Sequence, residues 1–405
     1  MSYKGDNLMS VKRTNRSVTL RTLHEKGAMS RKRLAERMNL TPAAITKIVG
    51  EMISDGLLSE GEMLSSGNAG RREILIDINA KKGCGLGALI NLRQAILSGT
   101  WLDGSVAFAE ELALEANAPA EETAKRLSRR LLELLDENDI ARERVVGLGI
   151  AVRGITSEDG RVVRNSFGAL AETDYPLCDL FEELTGFHCV MENNVRSLLS
   201  AQMFLSRDET TGSRFFLRCG YGIGAALSID GRIWHGVTAQ CAEIGHIPVV
   251  RRGGKPCRCG KSGCLETIAS PGSMREDALA ALSPEKTPLL WQKFHADPEK
   301  MNVFDVFSAA CNGDEGAAAI VDRAVQALGT AVKALIYLVD PGKIVLYGSL
   351  FEDPYYLSRL NSELQEGVDA RHDVLIRKSR YNQQLEDKAA CLLVIQDFID
   401  NGGIQ

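Results

Sequence analysis

The stretch His246-Ile-Pro-Val-Val-Arg-Arg-Gly-Gly-Lys-Pro-Cys257-Arg-Cys259-Gly-Lys-Ser-Gly-Cys264-Leu-Glu266 sets three of the chain's ten cysteines within eight residues, spaced by glycines, with a histidine just upstream. Thiolate sulfur and imidazole nitrogen are ligands that Zn²⁺ favours, and four of them close a tetrahedral structural site. Gly260 and Gly263 allow turns tight enough for Cys257, Cys259 and Cys264 to converge on one ion with His246. The alternatives are three reduced thiols in a mobile loop, or a disulfide. A bridge between Cys257 and Cys259 would be badly strained, and the other cysteines show no framework spacing. A structural Zn²⁺ is therefore the expected cofactor.

Working outward, the 405 residues suffice for two or three domains, and 44% hydrophobic with 25% charged residues is ordinary for a soluble globular chain. No apolar run approaches the roughly 20 residues that span a bilayer, and Met1-Ser-Tyr-Lys-Gly-Asp-Asn has no apolar signal core. Scattered cysteines then point to a reducing, cytoplasmic setting without membrane insertion. Charge is distributed unevenly. Residues 1–60 carry eleven Lys/Arg against six Asp/Glu, which leaves the rest of the chain near −10 within a net charge of −5. A basic head on an acidic body implies that the head alone meets a polyanion.

Within that head, Arg16 to Lys26 reads as a helix burying Leu20 and Leu23 and stopped by Gly27. Ser30 caps a second helix, Arg31 to Met38, and Thr41 caps a third with Pro42 at its first position. Ile45, Ile48, Val49, Met52 and Ile53 form its apolar stripe, opposite the small and polar Ala43, Ala44, Thr46, Lys47 and Gly50. A two-stranded wing follows, out through Leu64 and back along Ile74 to Ile78, with Gly70-Arg71-Arg72 near its tip. Helix, tight turn, capped helix and wing form the winged helix-turn-helix plan, which lays the third helix in the DNA major groove. The candidate DNA contacts are Arg31, Thr41, Ala43, Ala44, Thr46 and Lys47, with Arg71 and Arg72 reaching phosphates or a minor groove. A helical interaction domain with a solvated basic face would explain Leu34, Ile45 and Val49 equally well.

After Asn79 strands and helices alternate: strands at Cys84 to Ile90, Ala95 to Trp101 and Val145 to Val152, a helix over Glu121 to Asn138, and another from Asn194. Arg214 to Cys219 leads into Gly220-Tyr-Gly222-Ile-Gly224, and a helix over Ala318 to Val339 precedes the strand Lys343 to Gly348. This order implies an α/β body of two lobes, with no short internal repeat. The glycine hairpin lies between two strands, so the dinucleotide fingerprint does not apply. Its glycines either close a tight turn or offer N–H groups to phosphate. Glu243 and Glu266 bracket the cysteine loop, where converging polar groups would suit sugar hydroxyls.

The set Glu243-x-Gly245-His246, Cys257-x-Cys259-Gly-x-x-Gly-Cys264-x-Glu266 and Gly220-x-Gly222-x-Gly224 resembles the ROK family of sugar kinases and repressors over essentially the full length. With the N-terminal head, the resemblance is to its NagC/Mlc/XylR type of transcriptional repressor. It implies a winged helix-turn-helix over 1–80 and a two-lobed actin/hexokinase-like domain. The N-lobe would cover 81–200, with a C-terminal helix at 385–400 returning to it, and the C-lobe 201–384, with the zinc loop at 246–266. Asn193, Asn194, Glu243, His246 and Glu266 would face a sugar. Kinase members carry Asn-Asp where this chain has Asn193-Asn194, and an amide cannot take a proton from a sugar hydroxyl. Gly87 stands where their first-strand acid is expected, and Leu346-Tyr347-Gly348-Ser349 alters their C-terminal glycine pair.

The resemblance therefore implies a sugar sensor and no kinase catalysis: a repressor of carbohydrate-utilisation genes, acting as a homodimer or tetramer on operator DNA and released by a sugar or sugar phosphate. The rival readings are an active sugar kinase with a fused head, a repressor governed by a transporter protein, and an activator.

Overall fold

Helix α1 (Leu8–Lys26) begins eight residues before the expected Arg16, because the apolar residues of its first two turns form no buried stripe to announce them: Met9 and Val11 are exposed. The computed structural model describes residues 8–64, 73–206, 212–366, 374–381 and 383–404. Strand β1 (Met29–Ser30) leads to α2 (Arg31–Met38), whose N-terminus is capped by Ser30 Oγ accepting from Arg33 N; Asn39, at φ 51°, ends it. Helix α3 (Pro42–Ser54) is capped in the same way by Thr41, which accepts from Ala44 N. Leu20, Leu23, Leu34, Ile45, Val49 and Met52 are fully buried between the three helices, each stabilising the head by about 1.5–3 kcal/mol. Strands β2 (Leu58–Leu64) and β3 (Glu73–Ile78) pair antiparallel, from Leu58 opposite Ile78 to Leu64 opposite Glu73, and β1 joins the other edge of β3. This is a winged helix-turn-helix. The wing tip, with Arg71 and Arg72, lies outside the described residues.

Two compact units make up the chain, Met1–Glu209 with Gln383–Gln405 and Thr210–Asn382. Beyond the head, the first contains β4 (Cys84–Ile90), β5 (Gln94–Trp101), β6 (Val106–Ala113), α4 (Ala120–Glu137), β7 (Val145–Val152), β8 (Ile155–Thr156), β9 (Val163–Asn165), α5 (Leu177–Thr185), β10 (Cys189–Asn193) and α6 (Asn194–Ser206). Its five-stranded sheet runs β10-β7-β4-β5-β6, with an antiparallel β4-β5-β6 meander and parallel β7 and β10. Leu86, Ala88 and Ile90 of β4 share a core with Leu127, Leu131 and Phe181.

The second unit contains β11 (Ser213–Cys219), β12 (Ile223–Ile229), β13 (Arg232–Ile233), α7 (Glu266–Ala269), α8 (Pro271–Ala280), α9 (Pro288–Phe294), α10 (Val303–Cys311), α11 (Glu315–Val339), β14 (Lys343–Tyr347), α12 (Pro354–Gln365) and β15 (Leu375–Lys378). Its sheet runs β13-β12-β11-β14-β15, again an antiparallel three-strand meander followed by two parallel strands. The two units thus repeat one connectivity, although no repeat is visible in the sequence. In each, the first hairpin turn occupies the same topological place: residues 91–93 in one unit, residues 220–222 in the other.

The last helix, α13 (Glu386–Asp400), belongs to the first unit and packs on β4, β7 and α6. It lies in a trough floored by glycines. A Cβ at Gly149 would sit 1.8 Å from the carbonyl of Ala390, and one at Gly85 would sit 2.7 Å from Ile395. Only residues without side chains let the helix backbone approach this closely.

Candidate metal centre and effector site

Residues 244–246 form a short 3-10 turn that presents His246, and the cysteine loop folds back over it. Val249 and Val250 both donate to the Gly263 carbonyl, while Cys257 N donates to Lys261 O and Gly263 N to Lys255 O. Gly260 and Gly263 have φ of +85° and +76°, and a Cβ on Gly263 would strike the Val250 carbonyl at 2.2 Å. The glycines between the cysteines are therefore required by the backbone. The loop brings Nδ1 of His246 to 3.5 Å from Cys257 Sγ and Cys259 Sγ to 3.6 Å from Cys264 Sγ. All four side chains offer ligand atoms within 4.8 Å of one another. Donors bound at about 2.0–2.3 Å in a tetrahedron stand roughly 3.5–3.8 Å apart, so the set fits a metal ion of that coordination.

Electrostatics within the cluster are uneven. Burial pushes the Cys264 thiol up to about 12, and burial likewise raises Cys257. At Cys259 burial also works upward, but the backbone N–H of Lys261 and the neighbouring thiols outweigh it and the group is lowered. Cys259 is thus the readiest of the three to give up its proton to a cation.

Helix α7 begins at Glu266, two residues after Cys264. Its Oε2 accepts the backbone N–H of Ile223 at 2.9 Å, so the cysteine loop is tied to the glycine hairpin at the head of β12. A Cβ on Gly222 would lie 2.3 Å from that carboxylate, and one on Gly245 would lie 2.1 Å from Ile223 O. Gly222 of the hairpin and Gly245 of Glu243-x-Gly245-His246 therefore serve close packing of two loops. Glu243 precedes the 3-10 turn and is half-buried, while Tyr221 at the hairpin tip is exposed.

In the first unit, Asn193 and Asn194 fall at the junction of β10 and α6. Asn193 is turned inward: its Oδ1 accepts from Val195 N and Arg196 N and its Nδ2 donates to Gly154 O. It caps α6, a role the resemblance did not suggest. Asn194 Nδ2 donates to Asn91 Oδ1 at 3.1 Å, and both residues are buried. Nothing local in the sequence marks Asn91, which follows β4 as the first residue of the hairpin turn. Gly87, singled out as the place of a lost acid, lies mid-strand beneath α13, where a Cβ would meet Cys391 N at 2.7 Å. A carboxylate could not be housed there. The strand residue on the same face nearer the turn is Leu89, which is buried against Ala390. Close by, the fully buried Arg196 pairs with Glu192 at 2.7 Å and donates to Thr156.

On the head, Thr41, Ala43, Thr46, Lys47 and Gly50 are exposed along one face of α3, with Ala44 half-buried. Thr46 Oγ1 returns to Pro42 O, and Arg31 is committed to Glu60 of β2 at 2.7 Å. The exposed face of α3 is thus small-residued, with one cation, Lys47.

Residues 102–392, more than two thirds of the chain, match the ROK family, and residues 15–60 match the MarR family. The chain belongs to the ROK family. This ROK protein is 28% identical to the DNA-binding transcriptional repressor Mlc of Escherichia coli over 404 residues, 97% of this chain and 95% of that one. It is 27% identical to the E. coli transcriptional dual regulator NagC over 85% of this chain and 83% of that one. A glucokinase of Halalkalibacterium halodurans is 32% identical, but over 51% of this chain and 62% of its own length. The crystal structure of a ROK family transcriptional regulator described as a homolog of the E. coli Mlc protein shares the fold, with a TM-score of 0.81, 23% identity and 97% of each chain covered. Among the described residues, no helix is long and apolar enough to cross a membrane.

Proposed function

We propose that this ROK protein is a sugar-responsive DNA-binding regulator, a repressor of carbohydrate-utilisation genes, whose kinase-like domain senses a sugar without phosphorylating it. The observation that carries the sensor reading is the buried Asn194–Asn91 amide pair. An amide holds a sugar hydroxyl by hydrogen bonding but cannot act as its general base. The head supplies the output. Its capped α3 presents small residues suited to close approach to base edges in the major groove.

His246, Cys257, Cys259 and Cys264 would hold one Zn²⁺, which supplies a rigid tetrahedral centre and no catalysis. The loop so fixed keeps Glu243, His246 and Glu266 in register as sugar ligands; Asn193 and Asn194 are the sugar ligands proposed within the first unit. A homodimer places two recognition helices about 34 Å apart on a pseudo-palindromic operator. A coupling of about 1–3 kcal/mol between sugar and operator changes affinity by about 5- to 150-fold. The protein works in the cytoplasm.

Selection of binding sites from random duplex DNA, repeated with a panel of free and phosphorylated sugars, tests this reading. A defined operator whose affinity falls with one sugar is expected. The partial likeness to a glucokinase keeps a kinase as the alternative: sugar-dependent ATP consumption in a coupled assay would establish it. An operator unaffected by any sugar would point to control by a transporter protein.

A further inference from the structure

Helix α6 has one end at the candidate effector residues and the other on the DNA-binding head. It starts at Asn194, held to Asn91, with the Asn193 amide capping its first turn. Its 13 residues span about 20 Å at roughly 1.5 Å per residue. No glycine or proline interrupts it, and every residue from Asn194 to Gln202 is buried. A helix packed on all sides and free of such breaks does not kink, and a close-packed interior passes on a displacement without absorbing it.

At the far end Phe204 meets α1. Its ring stacks on that of His24, centroid to centroid at 3.7 Å, and its carbonyl oxygen accepts from His24 Nε2 at 2.8 Å. His24 follows Leu23 in sequence, and Leu20 and Leu23 pack into the core of the head. Alongside, α13 is bonded to α6 through Gln396 and Ser200. It runs on to Gly402, whose carbonyl accepts from Arg16 of the head.

We propose that α6 is a rigid strut that converts a change at Asn194 into a displacement of the head through the Phe204–His24 contact. Ligand seated against Asn194 shifts the start of α6, and His24 receives that shift seven residues before α2 begins at Arg31. This rests on Asn194 lying in the effector site, as proposed above.

The test is a double-mutant cycle on the full chain, with Asn194→Ala and His24→Ala read by hydrogen exchange without sugar or DNA. Asn194→Ala is expected to speed exchange of the Leu20–Lys26 amides by about tenfold, as is His24→Ala, and the double variant to be no faster than either. Residues this far apart ordinarily act independently, within about twofold of the product of their single effects. Effects that multiply, or no change in α1 on Asn194→Ala, would overturn the strut. Exchange in α4 reports general loosening. Should α4 also speed up, Phe204→Leu decides the matter from the other end: faster exchange at Val195 and Arg196 is required, and its absence sinks the proposal. A chain that selects no operator would defeat the functional reading and leave this result standing.

Discussion

The Arg16 guanidinium, buried within the head, donates from Nε to the carbonyl of Gly402 at 2.8 Å and from Nη1 to Asp55 at 2.7 Å. It joins the first helix to the residues just past the last one. Next to it Gly402 and Gly403, at φ +74° and +70°, fold against Arg13 and Leu57. Hydrogen bonds from a charged group to a buried partner contribute about 1.5–3 kcal/mol, whereas half-exposed Asp55 adds little. Arg16→Ala should lower stability of the first unit by about 2 kcal/mol, and Arg16→Lys by less. Urea unfolding with exchange at Leu20–Lys26 checks this.

Removal of the metal should leave the head intact while abolishing the sensor. Purified protein is expected to carry one Zn²⁺ per chain, and Cys259→Ser to bind it more than about 100-fold more weakly, beyond the roughly 10- to 100-fold that losing an outer-shell partner costs. Ligand response and stability of the second unit should fall before operator binding does. Metal analysis with operator titrations, with and without sugar, measures this; normal induction of a metal-free variant would refute it.

Restoring the acid should not restore a kinase. Asn194→Asp puts a carboxyl beside Asn91, but β4 offers Gly87 and Leu89 where a second carboxylate would be needed, and both are packed under α13. A coupled ATP assay should stay at background with every sugar that binds.

Two glycines should respond in opposite directions. Gly149→Ala drives a methyl into the Ala390 carbonyl, 1.8 Å away, and should cost about 3 kcal/mol or more by lifting α13. Gly50, in α3, has open space around its Cβ position, so Gly50→Ala should stabilise the head by about 0.5–1 kcal/mol. Thermal melts without DNA compare them.

Acid sensitivity should reside partly in Glu182. Arg161 holds its carboxyl down at about 2 through a hydrogen-bonded pair. The folded-state pKa is depressed, so this stabilisation is complete above about 4.5 and is lost as pH falls toward 2. Wild type should exceed Glu182→Gln in stability at pH 6, with the gap closing between pH 4.5 and 2. Denaturant titrations along that range would show it.

The sequence by itself determined the elements that a few neighbouring residues control. Ser30, Thr41 and Pro42 set where the head's helices start, and the spacing of Ile45, Val49 and Met52 sets which face is buried. The positive-φ glycines among the cysteines fix the metal loop. Each rests on backbone preference or on groups within one or two turns, so the string of residues is enough. Tertiary structure decided the rest. It revealed that both units repeat one strand order, since connectivity is preserved by packing while side chains drift. It showed Asn193 capping α6 and placed Gly87 under α13. It brought Asn91 to Asn194 and Arg16 to Gly402, 103 and 386 residues apart. Such contacts are chosen by which faces must leave water together and which polar groups are then left to be paired, and no local pattern records that choice.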